Sequence, residues 1–124
     1  MPKLDLVFWI GSSKEDLSAM PDDVRGDIGQ ALYVAQRGQK HEDAKVLKGF
    51  GGAGLLEVVT RYDGDAFRAV YTVRFAGYVY VLHVFQKKST QGTATPKKDI
   101  ALVKSRLKQA EGDYAEKLKG RGQA

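Results

Sequence analysis

The sequence predicts an α+β fold: two N-terminal helices and a C-terminal helix packed on a mainly antiparallel sheet of about four strands. Three observations carry this. Asp63-Gly64 separates two β-branched and aromatic runs, a strong two-residue hairpin signal. Ala76-Gly77 separates the second of those runs from a third, again with too little chain for anything but a hairpin. Apolar residues at helical spacing precede the first run and follow the third.

In chain order, "LDLVFWI" (Leu4 to Ile10) reads as a strand. "SSKEDLSAM" places Ser12 and Glu15 at capping-box spacing and opens a short helix. Pro21 suits the first turn of a second helix, in which Val24, Ile28, Leu32 and Ala35 share one face and Gly38 supplies a stop. The strands "LLEVVTRY", "FRAVYTVRF" and "YVYVLHVF" follow. Thr95-Pro96 then reads as an N-cap with proline at the first helical position. Ile100, Val103, Leu107, Ala110 and Tyr114 form the inward stripe of the last helix. With no repeat or long linker, residues 1–119 read as one domain and 120–124 as a frayed tail. With all helices on one sheet face, the other is expected to be free.

Composition narrows the function classes. At 124 residues, 43% hydrophobic and 28% charged, the chain is an ordinary globular domain. Without cysteine it has neither a disulfide nor a thiolate metal site, and two histidines give zinc little to use, so no metal and no small-molecule cofactor is expected. No apolar run approaches the roughly 20 residues of a membrane span, and the N-terminus lacks a signal-peptide pattern; the expectation is a cytoplasmic protein without membrane contact. "GFGGAG" (Gly49 to Gly54) has no P-loop lysine and precedes a strand, so it reads as a flexible entry to the sheet, with Lys48 at its edge expected to reach an RNA ligand.

Charge is unevenly placed. The net charge is +5, and between His83 and Gln109 seven Lys or Arg residues are opposed only by Asp99. Like charges repel, so the cluster anticipates a polyanionic partner. Two-residue hairpin loops set the register: Arg68 opposite Phe85 and Val59, Val70 opposite His83 and Glu57. Side chains alternate with period two, so one face collects Phe67, Ala69, Tyr71, Val73, Tyr80, Leu82 and Val84 as core. The other collects Glu57, Arg61, Arg68, Arg74, His83, Phe85 and Lys87, with Val59, Val70 and Val81.

That second face holds the parts that metal-free RNA cleavage needs. Arg68 and Arg74 match phosphate oxygens, and Lys87 and Lys88 neutralise the same or an adjacent phosphate. Glu57 or His83 can exchange a proton, and Phe85 can stack on a base. Lys97 and Lys98 stand in a first helical turn, where the dipole disfavours them and a binding role suits them. The same residues also have plainer readings: Arg68 and Glu57 as a cross-strand ion pair, His83 as a structural histidine, Phe85 as packing under the last helix. Tyr71 reads as structural.

These residues resemble a known group. "VFWIGSSKEDLSAMPDDV", "KVLKGFGGAGLLEVV", "FRAVYTVRF" and "HVFQKKSTQGTATPKKDIALVKSRL" are similar to the phage-derived, HigB-like branch of the RelE/ParE toxin superfamily, the toxins of type II toxin–antitoxin modules. Most specific is the Arg-x-x-Tyr strand (Arg68, Tyr71) together with Phe-x-Lys-Lys (Phe85, Lys87, Lys88) and Thr95-Pro96 before a helix. The resemblance implies a metal-independent endonuclease acting on mRNA in the ribosomal A site, restrained by a cognate antitoxin protein. It implies Arg68 as the phosphate-stabilising arginine, with Lys87 and Lys88 at the basic position after the fourth strand. The chain departs from the Glu-hydrophobic-Arg pattern of related toxins, having Glu57, Val58 and Val59, with Arg61 two residues on as a substitute cation. No residue maps onto the relatives' general base. Superfamily members that poison DNA gyrase, and a non-catalytic nucleic-acid- or antitoxin-binding domain, are the alternatives. On this reading an acidic or amphipathic antitoxin segment is expected on the basic patch.

Overall fold

In a computed structural model, residues 3–50, 54–87 and 95–122 are described, without the side chains of Lys87, Arg121 and Gly122. Strand β1 (Leu6–Trp9) is followed by α1 (Ser13–Ser18), α2 (Asp22–Gln36), β2 (Ala44–Val46), β3 (Leu55–Tyr62), β4 (Asp65–Thr72), β5 (Tyr78–Lys87) and α3 (Lys97–Gly122). The sheet order is β1-β5-β4-β3-β2, with β1 parallel to β5 and the other pairs antiparallel. The fold class is the one expected, with a fifth strand: Ala44–Val46 is too short to carry a period-two pattern in the sequence.

The β3–β4 hairpin has the expected two-residue loop. Asp63 and Gly64 both take positive φ, +52° and +83°, which matches the strand twist and demands residues of this kind. Gly38, at φ +78°, stops α2 as expected. The caps differ in detail. Ser12 Oγ donates to Asp16 Oδ2 at 2.7 Å and makes no cap bond. Pro21 stands just before α2 as its N-cap. The carbonyl of Pro96 accepts the Ile100 N–H, so α3 starts one residue later than expected and releases Thr95 for another partner.

Three expectations fail. The β4–β5 connection is not the two residues Ala76-Gly77: β4 ends at Thr72 and β5 begins at Tyr78, so five residues join them. The second sheet face is not free, because the helices divide between faces. Helix α2 covers Leu56, Val58, Phe67, Ala69, Tyr71, Val79, Val81 and Val84. Across the opposite face lies α3, whose Val103, Leu107 and Ala110 pack with Leu55, Val70, Phe75, Tyr78, Tyr80 and Leu82. Tyr80 and Leu82 were expected with Phe67, and Val81 with Arg68. A β-bulge exchanges them: Val70 pairs with His83 but Tyr71 with Val81, leaving Leu82 as an extra residue that inverts the alternation above it. The bulge carbonyl is satisfied from α3, where Arg106 Nη1 donates to Leu82 O at 2.9 Å and Nη2 to Ser12 Oγ at 3.1 Å. Val73 lies beyond β4 and is 43% exposed, not core.

Candidate functional site

Below the bulge the expected register holds. Arg68 sits between Val59 and Phe85, and Val70 between Glu57 and His83. Helix α3 begins at this end of the sheet, so its first turn meets these side chains. Arg68, 5% exposed, donates from Nη1 to Glu57 Oε1 at 2.9 Å. The second Glu57 oxygen accepts from Thr95 Oγ1 at 2.7 Å, tying the chain before α3 to β3. One row across, His83 Nε2 and Asp99 Oδ1 are 2.8 Å apart and both residues are buried. The His83 ring stacks on Phe85 with centroids 4.3 Å apart and planes 14° from parallel. His83 Nδ1 is buried and has no hydrogen-bond partner among the described residues.

Around this buried group lies an exposed cationic rim. Arg61 shares its face with Glu57 and is exposed at the open end of β3. Ala66 stands between Arg61 and Lys87 in one cross-strand row. Lys97 and Lys98 are exposed in the first turn of α3, two and three residues beyond Thr95. Lys88 and the Lys87 side chain lie outside the described residues.

The other two expected contacts are elsewhere. Arg74 pairs with Glu111 at 3.2 Å and lies against the Phe75 ring, beyond the opposite end of β4. Six residues of strand put it about 20 Å from Arg68. Lys48 is exposed in the β2–β3 loop at that same far end, where Leu47 N–H donates to Leu55 O. Period-two alternation put Arg74 on the right face but says nothing of distance along the strand. Sequence reasoning also passed over Thr95, as a cap, and Asp99. The signal for Asp99 was present, as the single acid among seven bases.

Tyr71 belongs to the α2 core. Burial raises its hydroxyl to a pKa of about 12, and the hydroxyl has no hydrogen-bond partner among the described residues, which fits a structural role. At the far end of the α3 face, burial pushes Tyr80 up, and its hydroxyl donates to Asp113 Oδ2 at 2.7 Å. Burial works against the Asp113 carboxylate, but hydrogen bonds from Lys117 and Tyr80 outweigh it and hold Asp113 below its ordinary value. Among the described residues no group of three or more His, Asp or Glu is gathered for a metal, and no helix is long and apolar enough to cross a membrane.

Chemically, the open end of the sheet pairs a buried guanidinium with a carboxylate under a ring of solvent-facing cations. A phosphate reaching the rim is attracted by Arg61, Lys97 and Lys98 and competes with Glu57 for Arg68. A small α+β protein with a buried Arg–Glu pair and exposed cations at one end of its sheet is the class that fold and site define. Residues 15–108 match the family described as Phage derived protein Gp49-like (DUF891), and the chain belongs to that family, which is of the RelE/ParE toxin type. Among curated proteins and among solved structures nothing matches the chain.

Proposed function

We propose that this chain is the toxin of a type II toxin–antitoxin module, of the HigB-like branch, and cleaves mRNA on the ribosome without a metal. The observation that carries the reading is the buried Arg68–Glu57 pair, with Thr95 on the second carboxylate oxygen, set beneath an exposed cationic rim. Family membership supports the toxin class and an antitoxin partner.

In the mechanism, the rim (Arg61, Lys97, Lys98, with Lys87 at the end of β5 and Lys88 next in the sequence) draws the RNA backbone onto the sheet end. Arg68 exchanges its Glu57 oxygen for a phosphate oxygen and stabilises the charge that grows on the phosphorane. Glu57, released from Arg68 and still held by Thr95, is placed to take the 2′-OH proton. His83, oriented by Asp99, is the second group able to move a proton, and Phe85 offers its ring to a base. Arg74 and Lys48 have no part in this chemistry, given their distance from Arg68.

The test is inducible expression in bacteria with mapping of new mRNA 5′ ends. Growth arrest with cuts inside translated codons is expected. Arg68→Lys, which retains a cation for Glu57, is expected to stay folded and to lose most cleavage, because an ammonium cannot reproduce the bidentate guanidinium contact. Full toxicity in that variant sinks the site. Arrest without cuts but with a DNA-damage response redirects the reading to gyrase poisoning, and a folded chain without arrest to a binding domain.

A further inference from the structure

A groove of about 640 Å³ runs across the α2 face at the same end of the sheet as the candidate site. Its walls are the α1–α2 junction at Met20 and Pro21 and the tip of the β3–β4 hairpin, with Tyr62 40% exposed. Phe67 and Val84 form an apolar floor, and Asp16, Asp63 and Asp65 line it as well; among the described residues no Lys or Arg does. The consecutive residues His83, Val84, Phe85 and Gln86 all touch it. Consecutive strand residues face opposite ways, so a groove meeting four in a row reaches the strand edge. That edge is bare of any described strand, since β1 pairs with β5 only as far as Trp9 and Val81.

We infer that this groove is the docking site for the antitoxin, through a segment carrying Lys or Arg side chains beside apolar ones. Charge decides the occupant. The three carboxylates of Asp16, Asp63 and Asp65 repel RNA phosphate and attract a cationic peptide, while the apolar floor accepts the adjoining side chains. The groove also shares His83 and Phe85 with the candidate site. A segment seated there touches His83 and Phe85 directly and does not need to cover the cationic rim. The inference rests on the toxin–antitoxin reading for the identity of the partner, and it replaces an acidic segment on the basic patch with a basic segment on the acidic one.

The experiment titrates the full chain calorimetrically with the protein of the adjacent reading frame. It compares wild type, Asp16→Lys/Asp65→Lys, Met20→Arg and Lys97→Ala/Lys98→Ala, each verified as folded by circular dichroism. Both groove variants are expected to weaken binding about tenfold or more, and the lysine variant to leave it unchanged. A photo-crosslinker at Tyr62 is expected to capture that protein. Unchanged affinity in both groove variants, no binding by wild type, or capture of cellular RNA at Tyr62 in place of the protein overturns the inference. Loss of binding in the groove variants of a chain that makes no mRNA cuts sinks the nuclease and leaves the docking site standing.

Discussion

The α3 face carries an ion pair held in by packing at each end, and the two ends differ in what surrounds it. At the far end Lys117 lies 3.6 Å above the Phe8 ring, with Tyr78 and Tyr80 at 4.7 and 5.0 Å, and it bonds to Asp113 and to Tyr80 Oη. The cation is closed in by aromatic rings and its own carboxylate, and it fastens the last turns of α3 to β1 and β5. At the near end the Arg68–Glu57 pair is the more deeply buried, its side chains 6% and 12% exposed against 24% and 33%, and Arg61, Lys97 and Lys98 stand exposed around it. A buried ion pair is therefore no sign of a site by itself. The exposed like charges around one of them, which form no ion pair among the described residues, make the difference.

The strongest test of that contrast is to break each pair. Arg68→Ala leaves Glu57 buried against Thr95 alone and is expected to cost about 3–5 kcal/mol, read as a lowered urea midpoint. Lys117→Met keeps the apolar volume over Phe8 and loses the cation–π contacts, an expected cost of about 1–2 kcal/mol. It leaves cleavage and antitoxin binding intact. The same substitution changes the acid limb. Asp113 is depressed below its ordinary value of 3.8, so its contribution is present above that value and is lost as pH falls through the lower folded one. In Lys117→Met the extra acid sensitivity below pH 3.8 is expected to shrink, as measured by thermal melts across acid pH.

Tyr71→Phe is expected to act in the opposite direction. Removing a buried hydroxyl that has no hydrogen-bond partner among the described residues raises stability by about 1 kcal/mol at neutral pH. The gain grows in alkali. With its pKa raised from 10.0 to about 12, Tyr71 adds no ionisation penalty below pH 10, and the fold loses stability as pH rises from there toward 12, because only the unfolded chain ionises freely. Alkaline urea titrations of the two proteins should diverge over that interval, and parallel curves would place the ionising group elsewhere.

Much of this contrast was legible in the sequence, and the part that was not shares one cause. The Asp63-Gly64 turn fixed the β3–β4 register, and with it Val59 opposite Arg68, because a two-residue loop leaves no freedom. Phe85 opposite Arg68 belongs to the β4–β5 pairing, where the expected register holds only below the bulge. The bulge at Leu82 was invisible, since nothing in "YVYVLHVF" distinguishes an extra residue from an alternating one. Its signature is in α3, where Arg106 supplies the donor that the displaced carbonyl needs. The same long-range packing decides that α3 takes the face opposite α2, that Thr95 reaches Glu57 and that Asp99 reaches His83. Pairings between elements far apart in sequence are set by the shape of the finished sheet, and a pattern along one strand does not contain them.

The smallest expected effect on stability is the one that bears most on function. Lys97 and Lys98 are exposed, and replacing both with alanine is expected to change stability by less than about 0.5 kcal/mol, the range for surface positions away from any cap or buried pair. Their removal also relieves two cations at the positive end of a helix, so the change should be slightly stabilising. Affinity for single-stranded RNA should fall nonetheless. With two fewer phosphate contacts, the slope of log K against log salt should flatten by about 1.4. Lys45 and Lys48, exposed toward the β2 side of the sheet, provide the control: alanine there should leave the slope unchanged if binding is confined to the rim. An equal flattening from either pair would mean that RNA senses only net charge, and the near end of the sheet would lose its claim to be a site.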